Sequence, residues 1–279
     1  MTNTTVNTYA ILAPAEVATL LIEPTMELSV AAQVCTLVTT GTTEYRIPVV
    51  TADPVAAWVA EGQEINPSDM VLNEVIVTPS KLAGLTIITR ELAEDSSPEA
   101  AETVGLGLAR DIARKLDAAF FGNLAAPAPA GLGSLGTTTA SVDTGPAIAN
   151  TDPFATALSL SETVSATTTA FVASPADALV LAKVKKAAGS NEPLLGSDPT
   201  APTKRTVLGV PMFVSPAVTA GTLWAIPRDR VYLVLRDDTR IEVDHSVFFT
   251  SDRVAVKATM RVGFAFPHPQ AIVKLSDVA

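Results

Sequence analysis

Apolar and polar residues alternate along two stretches in the first third of the chain. The first stretch covers residues 45–50, and the second covers 71–77 before the alternation resumes at 82–89. A repeat of two residues is typical of half-buried β-strands, so these stretches predict a long two-stranded arm. An isolated pair of strands is at best marginally stable in water. We therefore expect this arm to lie on another subunit.

The loop that joins the two strands, residues 57–69, is acidic and is interrupted by Gly62 and Pro67. It also carries Trp58, although a large aromatic side chain gains little from a solvated loop. We expect a second surface to bury Trp58, either in the core of its own subunit or on a neighbouring subunit.

Residues 98–121 follow a helical repeat instead. Ser97 can cap the helix, Pro98 suits its first position, and Gly122 predicts a left-handed stop. Apolar side chains recur along one face at Val104, Leu108, Ile112, Leu116, Ala119 and Phe120. Polar side chains, including that of Asp117, are predicted on the other faces. At 1.5 Å per residue such a helix is about 36 Å long.

Shorter elements are predicted on either side of this helix. Before it, a helix over 15–22 is expected to end at Pro24, and an apolar segment follows at 28–38. After it come, in chain order, a helix at 152–166, a strand at 170–174, a helix from 174 to about 189, a strand at 207–214, a hairpin of 230–236 with 240–244, and strands at 254–266 and 271–275. The middle of the chain thus alternates helix and strand, and the last third consists of strands.

The composition indicates a globular chain without a face for binding nucleic acid. Of its 279 residues 48% are hydrophobic, and the formal net charge is −10 with an isoelectric point near 4.7. Phosphate contacts need clustered lysines and arginines, and an acidic surface repels DNA. Residues 1–45 contain no lysine or arginine, and no apolar run has transmembrane length. Neither a secretory signal nor a membrane span is therefore expected.

Motifs for catalysis or cofactor binding are weak. The glycines of residues 131–136 fit a dinucleotide-binding pattern, but they follow a Pro–Ala run rather than a strand, so a plain loop is predicted. Two histidines and the single cysteine, Cys35, are too scattered for a tetrahedral zinc site. Cys35 is expected to pack as a small apolar residue. The acid pairs at 94–95 and 237–238 are expected to be solvated. No enzyme activity, cofactor or metal is therefore expected.

Several short motifs occur in a definite order along the chain. They are Ile47-Pro48-Val49, Trp58-Val59-Ala60-Glu61-Gly62, Pro67-Ser68-Asp69, Thr78-Pro79-Ser80-Lys81-Leu82, the segment 89–95, the segment 117–122 and Gly131-Leu132. Their order and spacing resemble those of the major capsid proteins of tailed bacteriophages, the Hong Kong 97-like family. The resemblance runs from about residue 14 to the C-terminus.

This resemblance implies an α+β fold with the parts of a Hong Kong 97-like capsid protein. These would be an N-terminal arm at 1–44, an extended hairpin loop at 45–90, the spine helix and first part of a peripheral domain at 91–145, an α/β axial domain at 146–245, and the second part of the peripheral domain at 246–279. In this family the hairpin reaches over a neighbouring subunit. Loops of the axial domain surround the fivefold or sixfold centre.

The resemblance also implies a virion protein that self-assembles as pentamers and hexamers into an icosahedral shell in the bacterial host cytoplasm. The shell would enclose double-stranded DNA without sequence-specific binding and would carry a portal protein, with a decoration or cement protein as a further partner. Only about 45 residues precede the hairpin, so a separate scaffolding protein is expected. The alternatives are an encapsulin-like cellular shell of the same fold around a cargo enzyme, and an enzyme with an α/β domain.

The residues expected at contacts between subunits lie on the hairpin loop and on the last strands. On the loop they are Trp58, Glu61, Glu64, Asn66 and Asp69, and on the strands they are Arg236, Arg240, Arg253 and Arg261. We expect the carboxylates to face the arginines of a neighbouring subunit, although exposed ion pairs contribute only about 0–1 kcal/mol each.

The founding member of the family joins its subunits through a lysine on the hairpin loop and an asparagine in the peripheral domain. Residues 52–79 of this chain contain no lysine, and Asn66 stands where that lysine would fall. No asparagine follows Asn191, and Asp252 stands near the corresponding position. An isopeptide bond needs an amine that faces a carboxamide. We therefore expect a shell without covalent bonds between subunits.

Overall fold

In the computed structural model of the chain, the described residues are 23–64, 66–89, 98–146, 148–187, 190–195, 205–236 and 240–277. The helices in these ranges are α1 (Glu23–Leu28), α2 (Val30–Val34), α3 (Pro98–Phe121), α4 (Asp152–Thr163) and α5 (Pro175–Lys183). The strands are β1 (Thr36–Thr40), β2 (Tyr45–Ala52), β3 (Val71–Val77), β4 (Ser80–Thr89), β5 (Ala140–Asp143), β6 (Ala170–Ala173), β7 (Arg205–Val207), β8 (Val210–Val214), β9 (Thr222–Ile226), β10 (Tyr232–Arg236), β11 (Arg240–Phe248), β12 (Arg253–Ala265) and β13 (Val273–Ser276). The helix predicted at 15–22 and the two acid pairs lie outside the described residues.

The first sheet has five strands and is built around β12. One edge of β12 pairs antiparallel with β4, and its other edge pairs antiparallel with β11 and then with β10. Strand β1 runs parallel to β10. From Leu108 onward the predicted apolar stripe of α3 packs on this sheet, where Leu116, Phe120 and Met260 of β12 are fully buried. Burial of each such side chain contributes about 1.5–3 kcal/mol.

The second sheet has six strands in the order β5-β13-β9-β6-β8-β7. Helices α4 and α5 cover it with buried side chains, and the ring of Phe154 meets that of Phe171 edge-on at 5.1 Å between centroids. The start predicted for α5 is confirmed, because the Ser174 hydroxyl accepts a hydrogen bond from the Asp177 backbone N–H at 3.2 Å. None of the described helices is long and apolar enough to span a membrane.

The predicted arm is present as the hairpin of β2 and β3, which pair antiparallel from Tyr45 opposite Val77 to Ala52 opposite Val71. Strand β4 does not extend this arm. It pairs with β12 from Arg253 to Val262 in the first sheet instead. Only the base of the arm is packed, with Ile47 and Val77 against Val234 of β10 and Ala265 of β12.

Several predicted elements differ from the structure because strand pairing and chain turns are not local properties. The predicted hairpin of 230–236 with 240–244 is wrong, since β10 and β11 lie one after the other along the same edge of β12. The predicted strand 207–214 is two strands joined by a two-residue turn. Helix α5 ends at Lys183 rather than near 189, because Val184 has an extended conformation. Pro24 lies in the first turn of α1, a helix that was not predicted.

Gly122 ends α3 for a reason other than the predicted one. Its φ is not positive, so the predicted left-handed stop is wrong. The segment that begins at Gly131 passes directly against the end of the helix, and a Cβ on Gly131 would collide with the carbonyl oxygen of Ala119. Gly133 donates a backbone hydrogen bond to the Gly122 carbonyl at 3.1 Å. These glycines permit a close approach of two backbones.

The predicted domain boundaries stay predictions, but the sheets cross them. Strand β1 comes from the predicted N-terminal arm and pairs with β10 in the first sheet. Within the predicted segment 246–279, β12 lies in the first sheet and β13 lies in the second. Strands β5 and β9, which flank β13 on either side, were not predicted from the sequence.

Asp117 does not lie on a solvent-facing side of α3 as predicted, since its side chain is buried. Its carboxylate accepts hydrogen bonds from the Ser29 hydroxyl at 2.6 Å and from the backbone N–H groups of Val30 and Ala31 at 3.1 and 3.0 Å. The Ser215 hydroxyl donates to the same carboxylate at 3.3 Å. One side chain of the spine helix therefore holds the first turn of α2 and the loop after β8.

We expect Asp117→Ala to lower the free energy of unfolding of the unassembled subunit by about 3 kcal/mol, because it leaves buried donors without an acceptor. Urea unfolding would measure this loss. Asp111→Ala, an exposed position on the same helix, is the matched control and should change stability by less than about 0.5 kcal/mol. Equal effects of the two substitutions would contradict the role assigned to Asp117.

Candidate subunit interface

The described residues of the loop at the end of the hairpin arm are exposed. Trp58 is fully exposed and Val55 is 76% exposed, so the alternative that Trp58 packs in the core of its own subunit is wrong. The Val55 backbone N–H donates to the Ser68 hydroxyl at 2.9 Å and closes the neck of the loop. The carboxylates of Glu61 and Glu64 lie beyond this neck, and that of Asp69 lies next to it on the side of β3; all three residues are exposed. Asn66 is also exposed.

The arm leaves the body of the subunit at one end of β12. The base of the arm packs against Ala265. Further along the arm, an open cleft of about 870 Å³ separates Val49 and Val75 of the arm from Val164 and His268 of the body. The arm therefore passes over the residues that follow β12. Because β12 begins at Arg253, the loop of the arm and the start of β12 point to opposite ends of the subunit.

Strand register places the four predicted arginines on one face of the first sheet. Even-numbered residues of β12 face α3, so Arg253 and Arg261 face away from the helix. Arg240 lies opposite Thr259 of β12 and shares their face. Arg236 follows Leu235, which lies opposite Val262, and so falls on this face too. We call this surface, away from α3, the outer sheet face.

Two lysines that were not among the predicted site residues belong to the same face. Lys81 of β4 lies opposite Arg261, and Lys257 of β12 lies opposite Glu242 of β11. Residues 253, 257 and 261 are an even number of positions apart in one predicted strand, so the sequence could have placed Lys257 on the same face as the two arginines. Lys81 could not be assigned in this way, because its partner strand is nearly 180 residues further along the chain.

The outer sheet face is basic although the chain is acidic. Among the described residues of the five strands, six cations and two carboxylates, those of Glu242 and Asp244, lie on this face. Lys257 forms an ion pair with Glu242. The hydrogen bond that the Lys257 ammonium donates in this pair is the main cause that lowers the pKa of the Glu242 carboxyl. Arg240 lies 3.9 Å from the same carboxylate. Within the described part of this face, cations therefore outnumber carboxylates.

The outer sheet face also exposes apolar side chains. Leu85 is 62% exposed and Ile87 is 43% exposed, and both belong to β4. They lie opposite Lys257 and Ala255 of β12. Cations and exposed apolar side chains thus share this face, whereas carboxylates share the hairpin loop with exposed Trp58 and Val55. The two surfaces are complementary in charge and similar in apolar content.

The described residues hold no group of three His, Cys, Asp or Glu side chains that could bind a metal ion. Cys35 is fully buried in the core of the first sheet, as predicted. Burial, and then the charge of Asp117, raises the pKa of the Cys35 thiol. A thiol that stays protonated is a poor nucleophile.

Comparison with known proteins assigns the chain to a protein family. The sequence profile of the phage capsid family matches residues 10–277. The chain belongs to the phage capsid family. No curated protein shows significant similarity to the sequence.

Solved structures agree with this assignment at the level of the fold. A chain of Microbacterium phage Oxtober96 superimposes with a TM-score of 0.72 at 17% identity over 89% of this chain and 91% of its own. The capsid of a native GTA particle gives a TM-score of 0.70 at 19% identity over 91% of both chains. A chain of Mycobacterium phage Cain gives 0.68 at 19% identity over 97% of this chain and all of its own.

The predicted Hong Kong 97-like α+β fold and the predicted role as a major capsid protein are thus confirmed. A capsid protein is a structural component of the virion and acts by assembling with copies of itself. In such a chain, complementary surfaces at opposite ends are the first candidates for contacts between subunits.

We expect Trp58→Ala to reduce the yield of assembled particles at least tenfold, as for a central aromatic anchor, while the free energy of unfolding of the subunit changes by less than about 0.5 kcal/mol. Sedimentation would measure assembly, and urea unfolding would measure stability. The other tryptophan, Trp224, is buried, and Trp224→Ala should cost about 3–5 kcal/mol of stability. Normal particle yield from Trp58→Ala would contradict the role of Trp58 as an anchor between subunits.

Proposed function

We propose that the subunits associate head to tail, each placing its hairpin loop on the outer sheet face of the next. The main support is the position of the two surfaces. The acidic loop lies beyond Ala265 and the basic face extends to Arg253, so a subunit cannot easily bring its own loop onto its own face. A contact between unlike surfaces repeats from copy to copy and closes into a ring when the rotation permits. Pentamers and hexamers are such rings.

The contact combines one apolar anchor with several weak charge pairs. Trp58 would lose its exposed surface against Leu85 and Ile87, and the loop carboxylates would lie near the cations around them. An exposed ion pair contributes about 0–1 kcal/mol. An icosahedral shell repeats every contact many times, so contributions of this size are sufficient to favour assembly.

We further propose that the shell encloses double-stranded DNA without sequence-specific binding and is assembled in the bacterial host cytoplasm. The net charge of −10 supports this, because an acidic wall does not hold DNA tightly. A separate scaffolding protein, a portal protein and a decoration protein remain predicted partners. The proposed role includes no catalysis.

We also propose that the shell is held together without covalent bonds. Asn66 is exposed on the hairpin loop, and Asp252 ends the turn before β12 with a left-handed backbone at φ 50°. Neither residue supplies the amine that an isopeptide bond requires. Stability must then come from buried contacts such as that of Trp58.

The purified chain is expected to form uniform closed particles or capsomers in negative-stain electron microscopy. After boiling in detergent, these particles should give a single band near 28.9 kDa on a denaturing gel. A ladder of covalent multimers would refute the non-covalent shell. Particles from infected cells that contain a cargo protein instead of DNA would favour the encapsulin-like alternative.

Charge reversal tests the pairing of the two surfaces. Glu61→Lys with Glu64→Lys should reduce particle yield at least tenfold, because the loop then meets the basic face with like charge. Adding Arg240→Glu and Arg253→Glu should restore much of the yield. The control, Glu162→Lys with Glu192→Lys, changes the net charge equally at exposed sites elsewhere and should leave the yield unchanged. If the loop substitutions and the sheet substitutions each impair assembly but their combination does not restore it, these two surfaces do not contact each other.

A further inference from the structure

The two-residue turn between β7 and β8 carries an unusual residue. Val207 lies opposite Val210, so Leu208 and Gly209 form the turn, and their φ angles are 51° and 82°. Positive φ at both positions is the requirement of a type I′ turn, for which Asn–Gly is the preferred pair. The Cβ of a leucine is crowded in the left-handed conformation. Leu208 is thus poorly suited to its own backbone.

The side chain of Leu208 is also unfavourably placed, since it is 49% exposed at the tip of the hairpin. Among the described residues, the other non-glycine positions with positive φ are Ser165 and Asp252, which are polar. A polar residue at a solvent-exposed turn needs no further explanation. A leucine with both an unfavourable backbone and an exposed side chain indicates a contact that the isolated subunit lacks.

An apolar groove opens beside the same hairpin. Its volume is about 680 Å³, and its lining is mostly apolar, with Pro175, Pro211, Met212, Phe213 and Val214 beside Arg205 and Thr206. Leu208 is not part of the lining, because the tight turn carries its side chain past the end of the strands. The subunit therefore presents an apolar projection and an apolar groove at one corner of its second sheet.

We propose that Leu208 inserts into this groove on a second copy of the chain. The inference rests on the proposed head-to-tail assembly and adds a second contact to it, at the edge of the six-stranded sheet. A projection and a groove on one corner are unlike surfaces, so their contact passes from copy to copy around a ring. Burial of the leucine side chain offsets the unfavourable turn conformation.

Leu208→Asn separates the two effects of the leucine. Asn–Gly relieves the turn, so the midpoint of thermal unfolding of the unassembled subunit should rise by about 2 °C. Loss of the inserted side chain should reduce particle yield at least tenfold in the same preparation. Ser165→Asn changes another left-handed position and is the control, with no expected loss of particles.

Filling the groove provides an independent test. Thr206 is exposed on β7 and lines the groove, so Thr206→Trp should block insertion and reduce particle yield without unfolding the subunit. If the two substitutions remove the same contact, the particle yield of the double variant should be no lower than that of the single variant with the lower yield. Normal particle yield from Leu208→Asn, or a lower midpoint of unfolding, would overturn this contact. Absence of particles from the unaltered chain would instead overturn the proposed assembly itself.

Discussion

Packing of α3 on β12 is the interaction on which the other parts of the subunit depend. The helix buries Leu116 and Phe120 against the even-numbered side chains of β12, and this leaves the odd-numbered side chains on the outer sheet face. The same contact directs Asp117 into the interior, where its carboxylate holds the first turn of α2. A single helix–sheet contact therefore positions both the N-terminal segment and the basic surface.

The distribution of charge in the subunit has a physical consequence for assembly. An overall charge of −10 opposes the approach of two copies, and this repulsion is longest in range at low ionic strength. The basic outer sheet face is a local exception that can receive an acidic loop. Approach in other orientations brings acidic surfaces together, so charge favours the correct orientation more than it strengthens the contact.

Exposed apolar residues are explained by the same requirement. Trp58, Leu85 and Leu208 each leave a large apolar side chain in water in the isolated subunit. They occur on the hairpin loop, on the outer sheet face and at the edge of the second sheet. A subunit that is complete only in a shell can keep such residues, because assembly buries them.

Local pattern in the sequence was sufficient for elements that depend on their own residues. The start of α3 at Pro98, the paired strands of the arm and the long strand β12 follow from periodicity and from the proline at the helix start, whereas the end of α3 depends on the close approach of Gly131. The grouping of acidic residues with Trp58 on one loop could also be predicted from the sequence, as could the capsid family.

Tertiary structure decided what depends on distant partners. It placed β12 between β4 and the pair of β10 and β11, and it buried Asp117 because Ser29 and Ser215 approach from far along the chain. It also brought four arginines from three strands onto one face, since register between distant strands is set by the packed core and not by local spacing.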